Sequence, residues 1–261
     1  MKIEAIMFDL DDTLIPSQEN VDTALRATCA PVAEKYGVDP DDLRSTVRQT
    51  AREIWRAAPT YAYCERVGIA SYEGLWMEYF GDEPEIDRLR EWAPHYRRQA
   101  WTQSLAVYGI DDAELAWRLA ERFPVERRKH HAPYAEVLGV MDQLKPSYRF
   151  ALLTNGAVKL QNEKLDLSGL RPYFEIVLVS GEFAVGKPDP RVFETVLERM
   201  NLRATSVVMV GDSLRSDMAG AHNAGIISIW VNRNGGPAEA SVPPDFEIRD
   251  LIGLENTLSL L

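Results

Sequence analysis

Residues 3–15 read IEAIMFDLDDTLI. The apolar run Ile3, Ala5, Ile6, Met7 and Phe8 is too short for a helix and has the character of a strand buried on both faces. It stops at Asp9, and Asp11, Asp12 and Thr13 follow at once. Carboxylates crowded together repel unless a cation lies among them, and a hard divalent metal prefers oxygen ligands. Taken alone, the cluster also suits a solvated turn, because aspartate favours turns and helix caps. The rest of the chain decides between the two.

Composition sets the outer limits. The chain has 261 residues, 46% hydrophobic and 26% charged, which is the profile of a globular protein with one large domain or two unequal ones. A net charge of -11 argues against a nucleic-acid polymer or an anionic membrane as partner, since either needs a basic footprint. Cys29 and Cys64 form no CxxC pair and no disulfide framework. No signal-peptide pattern precedes the first strand and no apolar run reaches membrane-spanning length, so the expected location is the cytoplasm.

After the opening strand, helical periodicity runs for more than a hundred residues. Val21, Ala24, Leu25, Thr28, Val32 and Tyr36 form one stripe, with Pro31 as a kink and Gly37 as a stop. Asp39-Pro40 reads as a helix start before Leu43, Val47, Ala51, Ile54 and Trp55. Ser71 is expected to cap a helix carrying Leu75, Trp76, Tyr79 and Phe80, and a longer helix follows Pro84. Asp111 with Glu114 resembles a capping box. Five of the six tryptophans fall between residues 55 and 117, and such aromatic stripes read as core.

From Pro133 onward, helical stretches alternate with short apolar runs. Residues 137–144 predict a helix with Val137, Leu138, Met141 and Leu144 inward, and strands are predicted at 150–153, 176–179, 207–210 and 226–231. Helices are expected near 157–167, 190–200 and 215–224, and a surface loop over 233–245. This alternation predicts an α/β fold, a Rossmann-like parallel sheet with helices on both faces. Its two parts, 1–15 and 130–261, are separated by a helical insert over 16–129.

In open parallel sheets, ligands bind beyond the carboxyl ends of the strands. The first run is followed by Asp9 to Thr13, the run at 150–153 by Thr154-Asn155-Gly156, and the run at 207–210 by Gly211-Asp212 with Asp217 further on. The loop after 176–179 delivers Lys187. These residues resemble, in order, the four motifs of the haloacid dehalogenase-like superfamily of phosphoaspartyl transferases: Asp9-x-Asp11-x-Thr13, Thr154, Lys187, and Gly211-Asp212 with Asp217. The resemblance covers the α/β parts, and the helical insert lies where subfamily I members carry their cap.

The resemblance implies a magnesium-dependent phosphatase acting on a small phosphorylated metabolite. In that scheme Asp9 is the nucleophile, and Asp11 protonates the leaving oxygen and later activates water. Thr154, Lys187 and the backbone N–H of Asn155 receive the phosphoryl group. Mg2+ takes ligands from Asp9, the Asp11 carbonyl and Asp212. Asp217 is expected to partner Lys187 or a metal-bound water, and Asp12 to serve only the turn. His95, His130, His131 and His222 show no metal-ligand spacing. Dehalogenases of this superfamily lack an acid at the position of Asp11, because halide leaves without a proton. A sugar-phosphate phosphomutase on the same core, or a non-catalytic metal- or partner-binding domain, remain open as alternatives. The stretch Thr154-Asn155-Gly156 with Gln161 and Lys164-Leu165 loosely resembles members acting on nucleoside monophosphates and sialic acid 9-phosphate. Phosphoserine-type substrates stay open as well.

Overall fold

The computed structural model describes residues 2–79, 81, 83–237 and 242–261. Phe80 and part of the 233–245 loop therefore lie outside the described residues. The chain divides into two compact units, Met1–Pro16 with Ala132–Leu261, and Ser17–His131.

Strand β1, Ala5–Phe8, opens the first unit. The inserted unit then runs through α1 (Ser17–Tyr36), α2 (Pro40–Trp55), α3 (Tyr61–Val67), α4 (Ser71–Gly74), α5 (Pro84–Ala106) and α6 (Ala113–Arg127). The Asp39 carboxylate accepts from the N–H groups of Asp41 and Asp42 and so starts α2. Trp55, Trp92 and Tyr96 form an aromatic group, with Trp92 stacked on Tyr96 at 4.9 Å. Trp76 and Trp101 are buried, whereas Trp117 is exposed.

Four local expectations are corrected. Ser71 begins α4 but does not cap it, since the Ala70 N–H is held by Glu73 Oε2 at 2.8 Å. That helix ends at Gly74, because the Gly74 carbonyl accepts from the Tyr79 hydroxyl at 2.5 Å instead of continuing the helical ladder. The cap of α6 is Asp112, not Asp111: its carboxylate accepts from Leu115 N–H at 2.9 Å and also holds Lys35 and Tyr36. Leu138 faces solvent, while Val137, Met141 and Leu144 of α7 (Val137–Leu144) are buried.

The α/β unit continues with β2 (Arg149–Thr154), α8 (Val158–Leu167), β3 (Ile176–Val179), α9 (Pro190–Met200), β4 (Val207–Gly211), α10 (Ala219–Asn223), β5 (Ile227–Val231), β6 (Phe246–Ile248) and α11 (Leu254–Leu258). Among the described residues these strands form one sheet, ordered β3-β2-β1-β4-β5-β6, with every pair parallel. Side chains alternate between two cores. Ile6, Phe8, Leu152, Val208 and Val210 pack with Val137 and Met141 of α7, Leu165 of α8 and Leu254 of α11. Met7, Ala151, Leu153 and Met209 pack on the other face with Val192, Phe193 and Val196 of α9. Burial on both faces explains why these strands read as continuous apolar runs. Strand β6 was not anticipated from sequence, being three residues long at the sheet edge. Among the described residues, no helix is long and apolar enough to cross a membrane.

Candidate active site

Register brings the strand ends together. Phe8 pairs with Leu152 of β2 and Val210 of β4. Asp9 therefore leaves the sheet level with Leu153 and Gly211, and its N–H still bonds to Val210 O at 3.0 Å. Thr154 is the last residue of β2, and Asp212 follows β4 directly. Both lie at the carboxyl edge beside Asp9, where the crossover loops also deliver Lys187.

The Lys187 ammonium is buried among three oxygens. It reaches Asp9 Oδ1 at 2.6 Å, Asp217 Oδ1 at 2.7 Å and Leu153 O at 2.7 Å. Burial opposes its charge, but the fields of Asp217 and Asp9 outweigh that penalty and hold its pKa above the ordinary lysine range. Asp217 is fixed further by the N–H of Ser213, which donates to Oδ2 at 3.0 Å. The Asp212 backbone oxygen accepts from Trp230 Nε1 at 2.7 Å, which ties the motif to β5.

Carboxylate oxygens of Asp9, Asp212 and Asp217 lie within 4.8 Å of one another. Burial is the main force pushing Asp9 up to about 7, with Lys187 opposing it and Asp217 adding to it. Burial likewise pushes Asp212 up to about 9, reinforced by Asp9, Asp217 and Asp12. Three carboxylates against one ammonium leave two negative charges when all are ionised, the charge of one divalent ion. An all-oxygen donor set with that deficit fits a hard divalent cation, Mg2+ or a close relative.

Asp11 stands apart from this group and has its own partners. Lys164 Nζ donates to both Asp11 oxygens at 2.9 Å, and Gln161 Nε2 donates to Oδ2 at 2.8 Å. The same Gln161 nitrogen donates to Thr154 Oγ1 at 2.6 Å. With its oxygen accepting there, the Thr154 hydroxyl has its proton left to donate elsewhere. Asn155 exchanges two bonds with the Lys187 backbone, at 2.8 and 3.0 Å, so its side chain secures the lysine loop. Asp12 occupies the turn with φ of 61°, donating its N–H to Ile15 O at 2.7 Å.

The strand ends singled out in the sequence do meet at one edge, but the side chains that hold Asp11 were not among the expected site residues. Gln161 and Lys164 sit three residues apart on α8, so they share a face, seven and ten residues after Thr154. The available signal was their place shortly after Thr154-Asn155-Gly156, on the helix that follows the second strand. Arg233 was also unforeseen: its guanidinium donates to Thr13 O and to Glu136, each at 2.8 Å, and lies 3.5 Å over the Tyr134 ring. It braces the loop that follows Asp9.

A parallel α/β sheet with acids, a hydroxyl and a lysine gathered at its strand ends defines a class of hydrolase core. The haloacid dehalogenase-like hydrolase family model matches residues 3–225, and the chain belongs to that family. Phosphoserine phosphatase of Thermus thermophilus is 35% identical over 250 residues, 95% of this chain and 96% of that protein. Among solved structures, the putative HAD-hydrolase YfnB of Bacillus subtilis, bound to magnesium, matches with a TM-score of 0.69 and 22% identity, covering 99% of both chains. A 2-haloacid dehalogenase from Pseudomonas syringae matches with a TM-score of 0.59 and 26% identity, again over 99% of both.

Proposed function

We propose that this hydrolase is a magnesium-dependent phosphatase of a small phosphorylated metabolite, working through an aspartyl-phosphate on Asp9. The α/β unit is its catalytic core and the inserted helical unit its cap. The observation that carries the reading is the carboxylate at position 11, anchored by Lys164 and Gln161 two residues beyond Asp9. An alkoxide leaving group needs a proton and a halide does not, so this acid favours phosphate ester over haloacid chemistry.

Asp9 attacks phosphorus in line, and the bond to the ester oxygen breaks as Asp11 delivers a proton to it. Water then attacks the phosphoaspartate with Asp11 accepting its proton, which frees phosphate and returns Asp9. Thr154 and the backbone N–H of Asn155 donate to phosphoryl oxygens. Lys187 balances Asp9 and the incoming anion, and Asp217 holds Lys187 in place. Asp9, Asp212 and the Asp11 carbonyl would hold Mg2+, which when bound supplies positive charge to offset the phosphoryl oxygens.

Similarity to a phosphoserine phosphatase puts phosphoserine first among the substrates to try. The test is magnesium-dependent phosphate release from an aryl phosphate and from a panel of phosphorylated metabolites, with Asp9→Asn as control. Activity lost in that variant supports the reading. A wild type inactive on the whole panel refutes it, and isomerised sugar phosphates without phosphate release would indicate a mutase.

A further inference from the structure

We propose that Gln161 and Lys164 are a clasp that positions Asp11 for proton transfer and Thr154 for phosphate binding. The proposal rests on the phosphatase reading and assigns two residues to it.

The clasp is one face of one helical turn. Gln161 and Lys164 lie at i and i+3 on α8, which starts four residues after Thr154 at the end of β2. Gln161 is 1% exposed and Lys164 fully buried, in contrast to the Asp11 side chain, which remains 23% exposed. Burying a lysine is costly unless a carboxylate meets it. An acid within reach of water needs no ammonium beneath it for stability. A lysine equidistant from both Asp11 oxygens instead fixes the plane of the carboxylate.

Gln161 adds the link between motifs. Its single amide nitrogen spends one proton on Asp11 Oδ2 and the other on Thr154 Oγ1. Reversing the amide would turn its oxygen onto the Asp11 carboxylate, so the orientation is set by the acid. The result leaves Gln161 Oε1 buried with no donor among the described residues. The adjoining loop is shaped around the same side chain: Gly156 has φ of 142°, and a β-carbon there would stand 2.9 Å from Gln161 Cγ and Cδ. Lys187 already serves Asp9 and Asp217, so Lys164 is the separate cation of Asp11.

A proton-transfer role and a merely structural one differ in their dependence on the leaving group. 4-Nitrophenolate departs without a proton, whereas the alkoxide of phosphoserine, or of whichever alkyl phosphate of the panel is turned over fastest, requires one. The clasp predicts that Lys164→Met lowers kcat/KM for the alkyl phosphate about 10-fold or more beyond its loss on 4-nitrophenyl phosphate. In an Asp11→Asn background, Lys164→Met should then change kcat/KM by less than about 2-fold, because both act through one carboxylate. Gln161→Leu should show the same selectivity, with KM raised for both substrates through Thr154.

Equal losses on the two substrates, or an additive double variant, overturn the clasp and leave the phosphatase reading standing. A wild type that hydrolyses neither substrate overturns both. Should Lys164→Met fail to fold, Gln161→Leu keeps the ion pair and carries the same comparison.

Discussion

The Asp217 carboxylate lies against the α-carbon of Gly211, where a β-carbon would stand 2.4 Å from Asp217 Cγ and Oδ2. The glycine before Asp212 is therefore the space that lets Asp217 reach Lys187 at 2.7 Å. Gly211→Ala displaces Asp217 and with it the lysine. Steady-state kinetics should show a fall of about 100-fold in kcat/KM, the scale of an ångström-sized misplacement. Activity near wild type in this variant would show that the close approach is dispensable.

Lys187→Met leaves Asp9 and Asp217 buried without their shared cation. Urea denaturation should show a loss of about 3–5 kcal/mol, the cost of breaking a buried pair from one side. The kcat/KM for phosphate esters should fall by about 100- to 1000-fold as the charge facing the phosphoryl group disappears. A variant that loses stability but keeps its turnover would remove Lys187 from the chemistry.

The acid cluster makes metal-free stability depend on pH in a stated direction. Burial raises Asp9 to about 7 and Asp212 to about 9, so the folded state binds their protons more tightly than the unfolded chain. Their contribution is present at low pH and declines as pH rises from about 4 through those values. Without divalent ions, the melting temperature should drop between pH 5 and pH 9, and Asp212→Asn should flatten the upper part of that drop. Added Mg2+ should raise it more at pH 8 than at pH 6, because protons compete for the ligands. Thermal melts that rise toward pH 9 in EDTA would contradict this.

In the helical unit, a β-carbon on Gly74 would stand 2.3 Å from the Trp55 ring. Trp55 is buried and touches Trp92 and Tyr96, so the ring has little room to yield. Gly74→Ala should cost about 1–3 kcal/mol by overpacking, read from denaturant unfolding. An unchanged midpoint would mean that the aromatic group repacks freely.

Five of the strands were legible because they are largely buried on both faces and read as short, mostly apolar runs. β6 has three residues, of which only Ile248 is buried, and leaves no such trace. α4 was overread because Leu75, Trp76 and Tyr79 are buried at helical spacing although the helix has already ended at Gly74. Burial and helicity give the same pattern over one turn, and the Gly74 carbonyl is taken not only by Tyr79 but also by Arg97, 23 residues on. The choice between Asp111 and Asp112 likewise turned on which carboxylate Lys35 and Tyr36 could reach.

For the site, order along the chain was enough to gather Asp9, Thr154, Lys187 and Asp212. Parallel strands in register must deliver their carboxyl ends to one edge, so local sequence and chain direction carry that information. The pairing of Lys187 with Asp9 and Asp217 followed from the same motifs, but the partners of Asp11 did not: it is held by Lys164 and Gln161 from a helix some 150 residues away. Side chains that distant become neighbours only through packing, and charge pairing inside a buried site depends on a few tenths of an ångström that no residue pattern encodes.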